Sequence, residues 1–286
     1  MTKMNKTIQE VLHRASVFLE QHDREPKVAE ILLLHHTNFT KTELILNLHE
    51  PIDPVIHKKF RADLETHATT GKPVQHLTGT EHFYGRQFTV NEHVLIPRPE
   101  TEELVQLILA KTQTEPRPLK LLDIGTGSGV IPITLKKEDP TLTVEASDIS
   151  EQALTVAKQN AVNLKADVVF HQSDFLQKWL GSGQQFDLIV SNPPYIAWEE
   201  RSTLSDTVKN FDPELALIAD EQGLAAYKTI VEQAKSVLKP TGALAFEIGH
   251  QQAEAVKSLI QSAFPTSKVE VIQDINKKDR IIFANC

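Results

Sequence analysis

The sequence predicts an α/β fold: a mostly parallel sheet of seven strands with helices on both faces, plus a small N-terminal helical domain and a connecting β-hairpin. Three observations predict it. From residue 100 onward, short apolar runs alternate with amphipathic stretches of helical period, the pattern of successive βαβ units. Before residue 72 only helical periods occur. Between the two, residues 73–99 show a glycine-broken alternation and the stiff joint Pro97-Arg98-Pro99. The expected division is a helical domain over 1–72, a hairpin linker over 73–99 and the α/β domain over 100–286.

In the first part, "TIQEVLHRASVFLEQ" spaces Ile8, Val11, Leu12, Ala15, Phe18 and Leu19 on one face of a helix. "PKVAEILLLHH" opens at Pro26, a residue suited to the first helical turn. "TELILNLHE" and "PVIHKKFRADLETHATTG" follow, and Gly71-Lys72-Pro73 stops the helices. "QHLTGTEHFYGRQFTVN" then reads as short strands around a hairpin turn. In the last part the strand candidates are "LKLLDIG", "LTVEASD", "DVVFHQ", "FDLIVSN", "ALAFEIG", "KVEVIQD" and "RIIFANC". Helical stretches lie between them, among them "TEELVQLILAK", "GVIPITLKKE", "SEQALTVAKQNAVNL", "GLAAYKTIVEQAKSVLKP" and "HQQAEAVKSLIQSAF". Only residues 273–279 connect the last two strands. That is too short for a parallel crossover, so these strands are expected to be antiparallel neighbours.

The charge is unevenly placed. Residues 1–90 hold 11 Lys+Arg and 11 Asp+Glu, while the rest hold 19 and 27 and so carry the whole net charge of −8. No basic stripe of the kind that grips nucleic acid occurs. No apolar run reaches the length of a membrane span, and the N-terminal stretch lacks the apolar core of a secretion signal. The single cysteine, Cys286, excludes disulfides and cysteine metal sites within the chain and fits a reducing cytosol. A cytoplasmic monomer is expected, with no membrane or direct nucleic-acid partner.

The chemistry begins at "LLDIGTGSGV", a strand that runs into Gly125-Thr126-Gly127-Ser128-Gly129 and then a helix. Such glycines allow a tight turn and let a ligand touch the main chain. The Rossmann dinucleotide fingerprint is G-x-G-x-x-G, with phosphates at the helix N-terminus. Here the third glycine comes one residue early. Asp123, on the strand just before the glycines, is expected to point at the ligand pocket, where it can accept a hydrogen bond or attract a cation. Asp148 ends the next strand, where a carboxylate accepts both hydroxyls of a ribose; taken alone it reads first as a cap of the helix "SEQALTVAKQ" and only second as a ligand contact. Asp174 and Phe175 follow the third strand and suit an adenine ring, the carboxylate taking its amino group and the aromatic its face. No basic residue stands among the strand ends to bind phosphate. The set suits a cationic, phosphate-free nucleoside, S-adenosyl-L-methionine.

The strand "FDLIVS" ends in Asn192-Pro193-Pro194-Tyr195. Two prolines fix the backbone in extended geometry and make a rigid corner at the carboxyl end of a strand. The Asn192 side-chain oxygen and the Pro193 carbonyl can together accept both hydrogens of one planar NH2 group, and Tyr195 can stack on it. That suits methyl transfer to an amide or a base amine, whose nitrogen is a poor nucleophile and must be held in line. No general base and no metal is required, because the N-methylated cation is strongly acidic. A proline-stiffened loop with a capping Asn is the plainer reading of the tetrapeptide alone.

Taken with "HFYGRQFTVNEHVLIPRPETEELV", "FDPELALIADEQGL", "LKPTGALAFEIGHQQ" and "KKDRIIFA", these motifs closely resemble the HemK/PrmC family. Its members are protein-(glutamine-N5) methyltransferases that modify the Gly-Gly-Gln glutamine of peptide chain release factors. The resemblance covers nearly the whole chain and implies a Rossmann-like, S-adenosylmethionine-dependent methyltransferase sheet. It implies that Gly125, Thr126, Gly127, Ser128, Gly129, Asp148, Phe175 and Asn192 bind the cofactor. It further implies that Asn192, Pro193, Pro194 and Tyr195 receive the glutamine, and that the helical N-terminal part helps to dock the release factor. Three positions depart from the family pattern: His76 stands where tyrosine is common, and Thr241 and Lys277 stand where glycine is frequent. They bear on local turns, not on the chemistry.

Three other readings are open to the residues. One is the same chemistry on a ribosomal-protein glutamine or a nucleic-acid base, and the neutral N-terminal part speaks against the base. A nicotinamide oxidoreductase conflicts with the early third glycine and the Asn-Pro-Pro-Tyr corner. A non-catalytic nucleoside-binding module conflicts with the intact motif. His35 and His36 lack metal spacing and are expected on solvated helix faces. Arg98, between two prolines, is expected to be a structural tie. Glu247 closes a strand, either lining the site or serving only the strand end.

Overall fold

A computed structural model describes residues 6–113, 115 and 118–286. The chain forms two compact units, residues 1–79 with Ser205–Phe211, and Thr80–Leu204 with Asp212–Cys286. Among the described residues no helix is long and apolar enough to cross a membrane.

The first unit is helical: α1 (Ile8–Glu20), α2 (Lys27–Thr37), α3 (Lys41–Leu46), α4 (Pro54–Thr70) and α5 (Val74–Thr78). Local chemistry sets its boundaries. Thr7 and Glu10 exchange hydrogen bonds across the first turn of α1, and Thr40 and Glu43 do the same at α3. Asp53 caps α4 ahead of Pro54, and Gly71 ends it at φ 74°. Leu19, Leu32, Leu33, Phe60 and Leu64 form the core. Two expectations fail here. Gln75, His76 and Leu77 lie in α5 and not in a strand: Pro73 precedes the helix and Gly79, left-handed at φ 72°, stops it before the hairpin begins. His36 does not face solvent; its ring bonds Asp63 of α4 at 2.8 Å with the side chain 11% exposed.

The second unit opens with a hairpin, β1 (Thr80–Phe83) and β2 (Arg86–Thr89). Tyr84 and Gly85 turn it with φ of 50° and 71°, both positive as the two-residue turn of a right-twisted hairpin requires. Then follow α6 (Pro99–Thr112), β3 (Lys120–Ile124), α7 (Val130–Glu138), β4 (Thr143–Asp148), α8 (Glu151–Leu164), β5 (Val169–Gln172) and β6 (Phe186–Ser191). After β6 come a 3₁₀ turn (Trp198–Thr203), α9 (Asp206–Phe211, part of the first unit), α10 (Glu214–Leu217) and the single turn α11 (Asp220–Gly223). The chain ends with α12 (Ala225–Val237), β7 (Leu238–Glu247), α13 (Ala253–Ala263), β8 (Lys268–Gln273) and β9 (Asp279–Asn285).

The seven strands after the hairpin form one sheet in the order β5-β4-β3-β6-β7-β9-β8. β9 runs antiparallel to both neighbours and the other pairs are parallel, as the short last connection requires. Period two divides the side chains between two layers. Leu121, Leu188, Val190 and Ala245 pack with Leu104 and Ile108 of α6 on one face. Leu122, Ile189, Leu244 and Phe246 pack with Tyr227 and Ile230 of α12 on the other. β7 begins earlier than expected, at Leu238, where the sequence pattern suggested a helix end. Pro240 cannot continue a helix, and Leu238 pairs with Phe186 across a register shift. At the β8–β9 turn, Lys277 keeps a left-handed φ of 59° in place of the glycine frequent there. Asp274 secures that turn by accepting the N–H groups of Asn276 and Lys278 at 2.8 and 3.0 Å.

One buried side chain ties the hairpin to the sheet. Asn160 of α8, 1% exposed, accepts the Thr89 N–H at 2.7 Å. Its amide donates to the carbonyls of Thr89 (3.0 Å) and Ser128 (2.9 Å). Asn160→Ala leaves these backbone groups without partners in a closed site and is expected to destabilise the unit by about 2–4 kcal/mol. The measurement is urea unfolding, with a lower midpoint at unchanged m-value. An unchanged midpoint would show that water or backbone shifts replace the tie.

Candidate active site

The site lies where the strand order reverses. β3 is followed outward by β4 and β5 on one side, and by β6, β7, β9 and β8 on the other. The register Asp123↔Val190 and Ile124↔Ser191 brings the ends of β3 and β6 level. The buried Ser191 hydroxyl donates to the Ile124 carbonyl at 2.7 Å and pins them there. Gly125 and Asn192, one residue further along each chain, therefore leave the sheet side by side. This is the crevice at the carboxyl ends of the strands where open α/β sheets bind ligands. A cavity of 330 Å³ opens there, lined by Gly125, Thr126, Gly127, Ser128, Asp148, Asp174, Phe175, Asn192 and Pro194. Residues 92–95, Arg98, Thr101, Leu215 and Ala216 also line it.

Gly125 and Gly127 have φ of 71° and 54°, and a Cβ on either would meet nothing within 4 Å. Their side of the loop is open to a ligand that approaches the main chain. The Asp148 carboxylate accepts the N–H of Gly127 and of Ser150, each at 2.9 Å. It braces the glycine loop against β4 and still has lone pairs for a ligand hydroxyl. Asp148 is not the cap of α8: Ser150 takes that role, accepting the Ala153 N–H at 3.1 Å. Burial pushes the Asp148 pKa up against the pull of its backbone donors. Asp174 is exposed and accepts from Gln177 at 3.0 Å. Phe175 is half-buried with a left-handed φ of 45°. An aromatic held there costs about 1–3 kcal/mol of backbone strain, of the sort that collects at binding sites.

Asp123 does not reach the cavity as expected: it lies behind the loop, fully buried and off the cavity wall. Neither of its oxygens, nor the buried Thr126 hydroxyl, has a hydrogen-bond partner of good geometry. Burial pushes the Asp123 pKa up to about 7; the nearby Thr126 hydroxyl pulls it down and the Asp148 charge adds to the rise. Two acceptor oxygens held unmatched behind a ligand-sized cavity call for a donor or a cation.

At the second corner, Pro193 is buried, Pro194 half-buried on the cavity wall, and Tyr195 half-buried. Pro193 and Tyr195 do not line the cavity. Burial, then the charge of Glu247, pushes the Tyr195 phenol up to about 12, so it stays protonated and cannot act as a base near neutrality. The Tyr195 carbonyl accepts from Gln252 Nε2 at 2.9 Å. Gly223 backs onto the same carbonyl so closely that a Cβ would lie 2.1 Å from it. Arg98 is a structural tie, as expected: its guanidinium bonds the buried Asp212 at 2.8 Å and holds the segment that carries Leu215 and Ala216. Sequence patterns alone miss Thr101, which lies on the cavity wall and hydrogen-bonds Glu247 146 residues away. Its only sequence signal is its place in "IPRPETE".

The buried Asp123 yields a prediction with a definite sign. Its folded pKa of about 7 lies above the ordinary 3.8, so the unfolded state gives up this proton first. The native state loses stability as pH rises from about 4 to 7, and the full penalty persists above 7. Asp123→Asn is expected to raise the melting temperature of the ligand-free protein at pH 8, by the equivalent of roughly 1–2 kcal/mol. The same change should weaken binding of a cationic nucleoside, and in the wild type such binding should release protons between pH 6 and 7. Calorimetry in buffers of differing ionisation enthalpy measures that release. Proton uptake, or none, would remove Asp123 from the ligand's surroundings.

Comparison with known proteins places this geometry. Residues 10–79 match the PrmC N-terminal domain, and residues 102–211 match the methyltransferase small domain. The chain is similar to the release factor glutamine methyltransferase of Bacillus subtilis, with 45% identity over 98% of each chain. It is also similar to that of Enterococcus faecalis, with 38% identity over 98% of this chain and 100% of the relative. Among solved structures, a methyltransferase from Pyrococcus furiosus shares the fold, with a TM-score of 0.51 at 17% identity over 71% of this chain and 90% of that one. With such identity along nearly its whole length, the chain belongs to the release factor glutamine methyltransferase family.

Proposed function

We propose that the protein transfers a methyl group from S-adenosyl-L-methionine to the side-chain amide nitrogen of the glutamine in the Gly-Gly-Gln motif of peptide chain release factors. The observation that carries the reading is the juxtaposition of the open glycine cradle with Asn192 across the β3–β6 register, in a chain 45% identical to a release factor glutamine methyltransferase. The cofactor fits the residues present. Gly125 and Gly127 leave room for it, Asp148 has lone pairs for a ribose, and Phe175 offers a face to a base. The unmatched oxygens of Asp123 supply negative charge for a cation. The early third glycine, in a loop that carries no basic residue, favours this molecule over a dinucleotide.

When bound, the cofactor supplies an electrophilic methyl group on a sulfonium. The chain's part is to hold a weak nucleophile in line. Asn192 Oδ1 and the Pro193 carbonyl accept the two N–H groups of the target amide, which fixes the plane and approach of its nitrogen. As the new C–N bond forms and the methyl–sulfur bond breaks, leaving a neutral thioether, positive charge grows on that nitrogen, and the same two acceptors stabilise it more than they stabilise the ground state. The methylated nitrogen then loses one proton and returns to a neutral amide. Tyr195, protonated, stacks on the flat group. The helical domain over residues 1–72 docks the release factor, and the α/β domain from residue 100 carries the chemistry, with the hairpin segment 73–99 between them. The enzyme works as a cytoplasmic monomer without direct nucleic-acid contact.

The deciding experiment incubates the protein with labelled S-adenosyl-L-methionine and a release factor and locates the methyl by mass spectrometry. The label is expected on the Gly-Gly-Gln glutamine, and on nothing when that residue is glutamate, which offers no NH2. Asn192→Ala should keep the fold and most of the cofactor affinity while losing ~10²–10³ in kcat. Transfer at the normal kcat in that variant would sink the mechanism. Methylation of RNA, with binding that weakens steeply as salt rises, would move the substrate to a nucleic-acid base.

A further inference from the structure

Glu247 ends β7 with only 2% of its surface exposed, and it does more than close a strand. The Thr101 hydroxyl donates to Glu247 Oε2 at 2.7 Å. The Asn192 amide in turn donates from Nδ2 to Thr101 Oγ1 at 3.4 Å. A hydroxyl has a single proton. With that proton committed to the carboxylate, Thr101 can offer Asn192 only a lone pair, so the NH2 end of the amide is the end that turns inward. The oxygen end is left facing the cavity that Asn192 lines. An isolated asparagine has no such preference, since its two ends have nearly the same shape. We propose that Thr101 and Glu247 are positioning residues that fix which way round the Asn192 amide stands, and so present Oδ1 to the NH2 of the target glutamine. The inference rests on the reading of Asn192 as the acceptor of that NH2.

The surroundings of the carboxylate support a role beyond packing. A buried acid is expensive to keep, and an apolar residue of similar volume commonly gives a more stable core. Arg280 of β9 and Glu100 of α6 act on Glu247 with opposite signs, and the Tyr195 and Tyr227 rings lie within reach of its charge. Tyr227 O–H donates to the main-chain carbonyl of Glu247 at 2.9 Å and so fixes the residue without touching its carboxyl group. Burial pushes the Glu247 pKa up to about 7 against the Thr101 hydrogen bond, Arg280 and the Asn192 amide. Once protonated, Glu247 can donate to Thr101. The Thr101 proton is then free to point at Asn192 Oδ1, and the amide can reverse. A reversed amide sets NH2 against NH2, and the target nitrogen loses an acceptor.

The test compares wild type, Thr101→Val, Thr101→Ser and Glu247→Gln with a release factor at saturating S-adenosyl-L-methionine. Thr101→Val keeps the shape without the hydroxyl and should lower kcat roughly ten-fold, the scale of one hydrogen bond. Cofactor Kd should stay within about two-fold, and Thr101→Ser should restore most of the rate. The wild-type kcat should fall below a pH of about 7, and Glu247→Gln should flatten that acid limb. Equal rates for the valine and serine variants would overturn the proposal, as would an unchanged acid limb in Glu247→Gln. If Thr101→Val fails to fold, the Glu247→Gln pH profile decides alone. A wild type that binds cofactor yet transfers no methyl to the release factor would overturn the function itself, and this inference with it.

Discussion

The site depends on one register. Ile124 pairs with Ser191, and the Ser191 hydroxyl holds the Ile124 carbonyl at 2.7 Å, so the glycine loop and the Asn-Pro-Pro-Tyr corner begin at the same height on adjacent strands. Register is strongly determined wherever a sheet face is buried, because a slip of one residue would turn every side chain to the opposite face. Here such a slip would put Leu122 and Ile189 into the layer of Leu121 and Leu188, which a different set of helices fills. Core packing on both faces therefore fixes the spacing of the glycine loop and the Asn-Pro-Pro-Tyr corner. The helices then brace the result: α8 reaches the loop through Asn160 and Ser128, and α6 reaches Asn192 through Thr101.

Energy is spent unevenly in this molecule. The first unit follows local rules, with two capping boxes and an apolar core. Several costly features stand at the cavity and behind it. Asp123 and Glu247 are buried acids with pKa values pushed up to about 7, and Phe175 is left-handed. Glu221 and Gln222 are left-handed in succession, at φ 54° and 58°, just before Gly223 meets the Tyr195 carbonyl. Each would cost on the order of 1 kcal/mol or more in isolation. At Asp123 and Glu247, which stand on or at the end of central strands, the fold gives up stability for a set geometry.

The same division explains what the sequence reveals. All seven sheet strands are legible as short apolar runs, most of them ended by glycine, proline or aspartate. The antiparallel last pair follows from the length of one loop. Gln75, His76 and Leu77 mislead because three residues cannot distinguish a strand from one helical turn, and the flanking Pro73 and Gly79 decide it. The short helices between Trp198 and Gly223 are not legible, since each is too brief to show a period. At the site, the glycines, Asp148 and the Asn-Pro-Pro-Tyr corner announce themselves by local chemistry. Thr101 and Asn160 do not. Their partners stand 146 and 71 residues away, so no spacing rule connects them.

The early third glycine separates the two tasks of a glycine loop. Gly125 and Gly127 meet open space and serve the ligand side, whereas a Cβ on Gly129 would lie 2.9 Å from Ile133 Cδ1 and 3.2 Å from Ala157 Cβ. Gly129 is therefore required by the close approach of α7 and α8, and it caps α7 at φ 82°. The helix it starts has Pro132 in its first turn. Proline carries no N–H, so this helix start offers one fewer of the free donors that make a helix N-terminus an anion site. A dinucleotide would lose a hydrogen bond to its pyrophosphate at this place, whereas a nucleoside without phosphate loses nothing. Asp123 and Asp148, both raised by burial, would repel a pyrophosphate wherever they ionise and attract a sulfonium and an ammonium. The preference for a cationic nucleoside thus comes from what the loop withholds from an anion as much as from what it offers a cation.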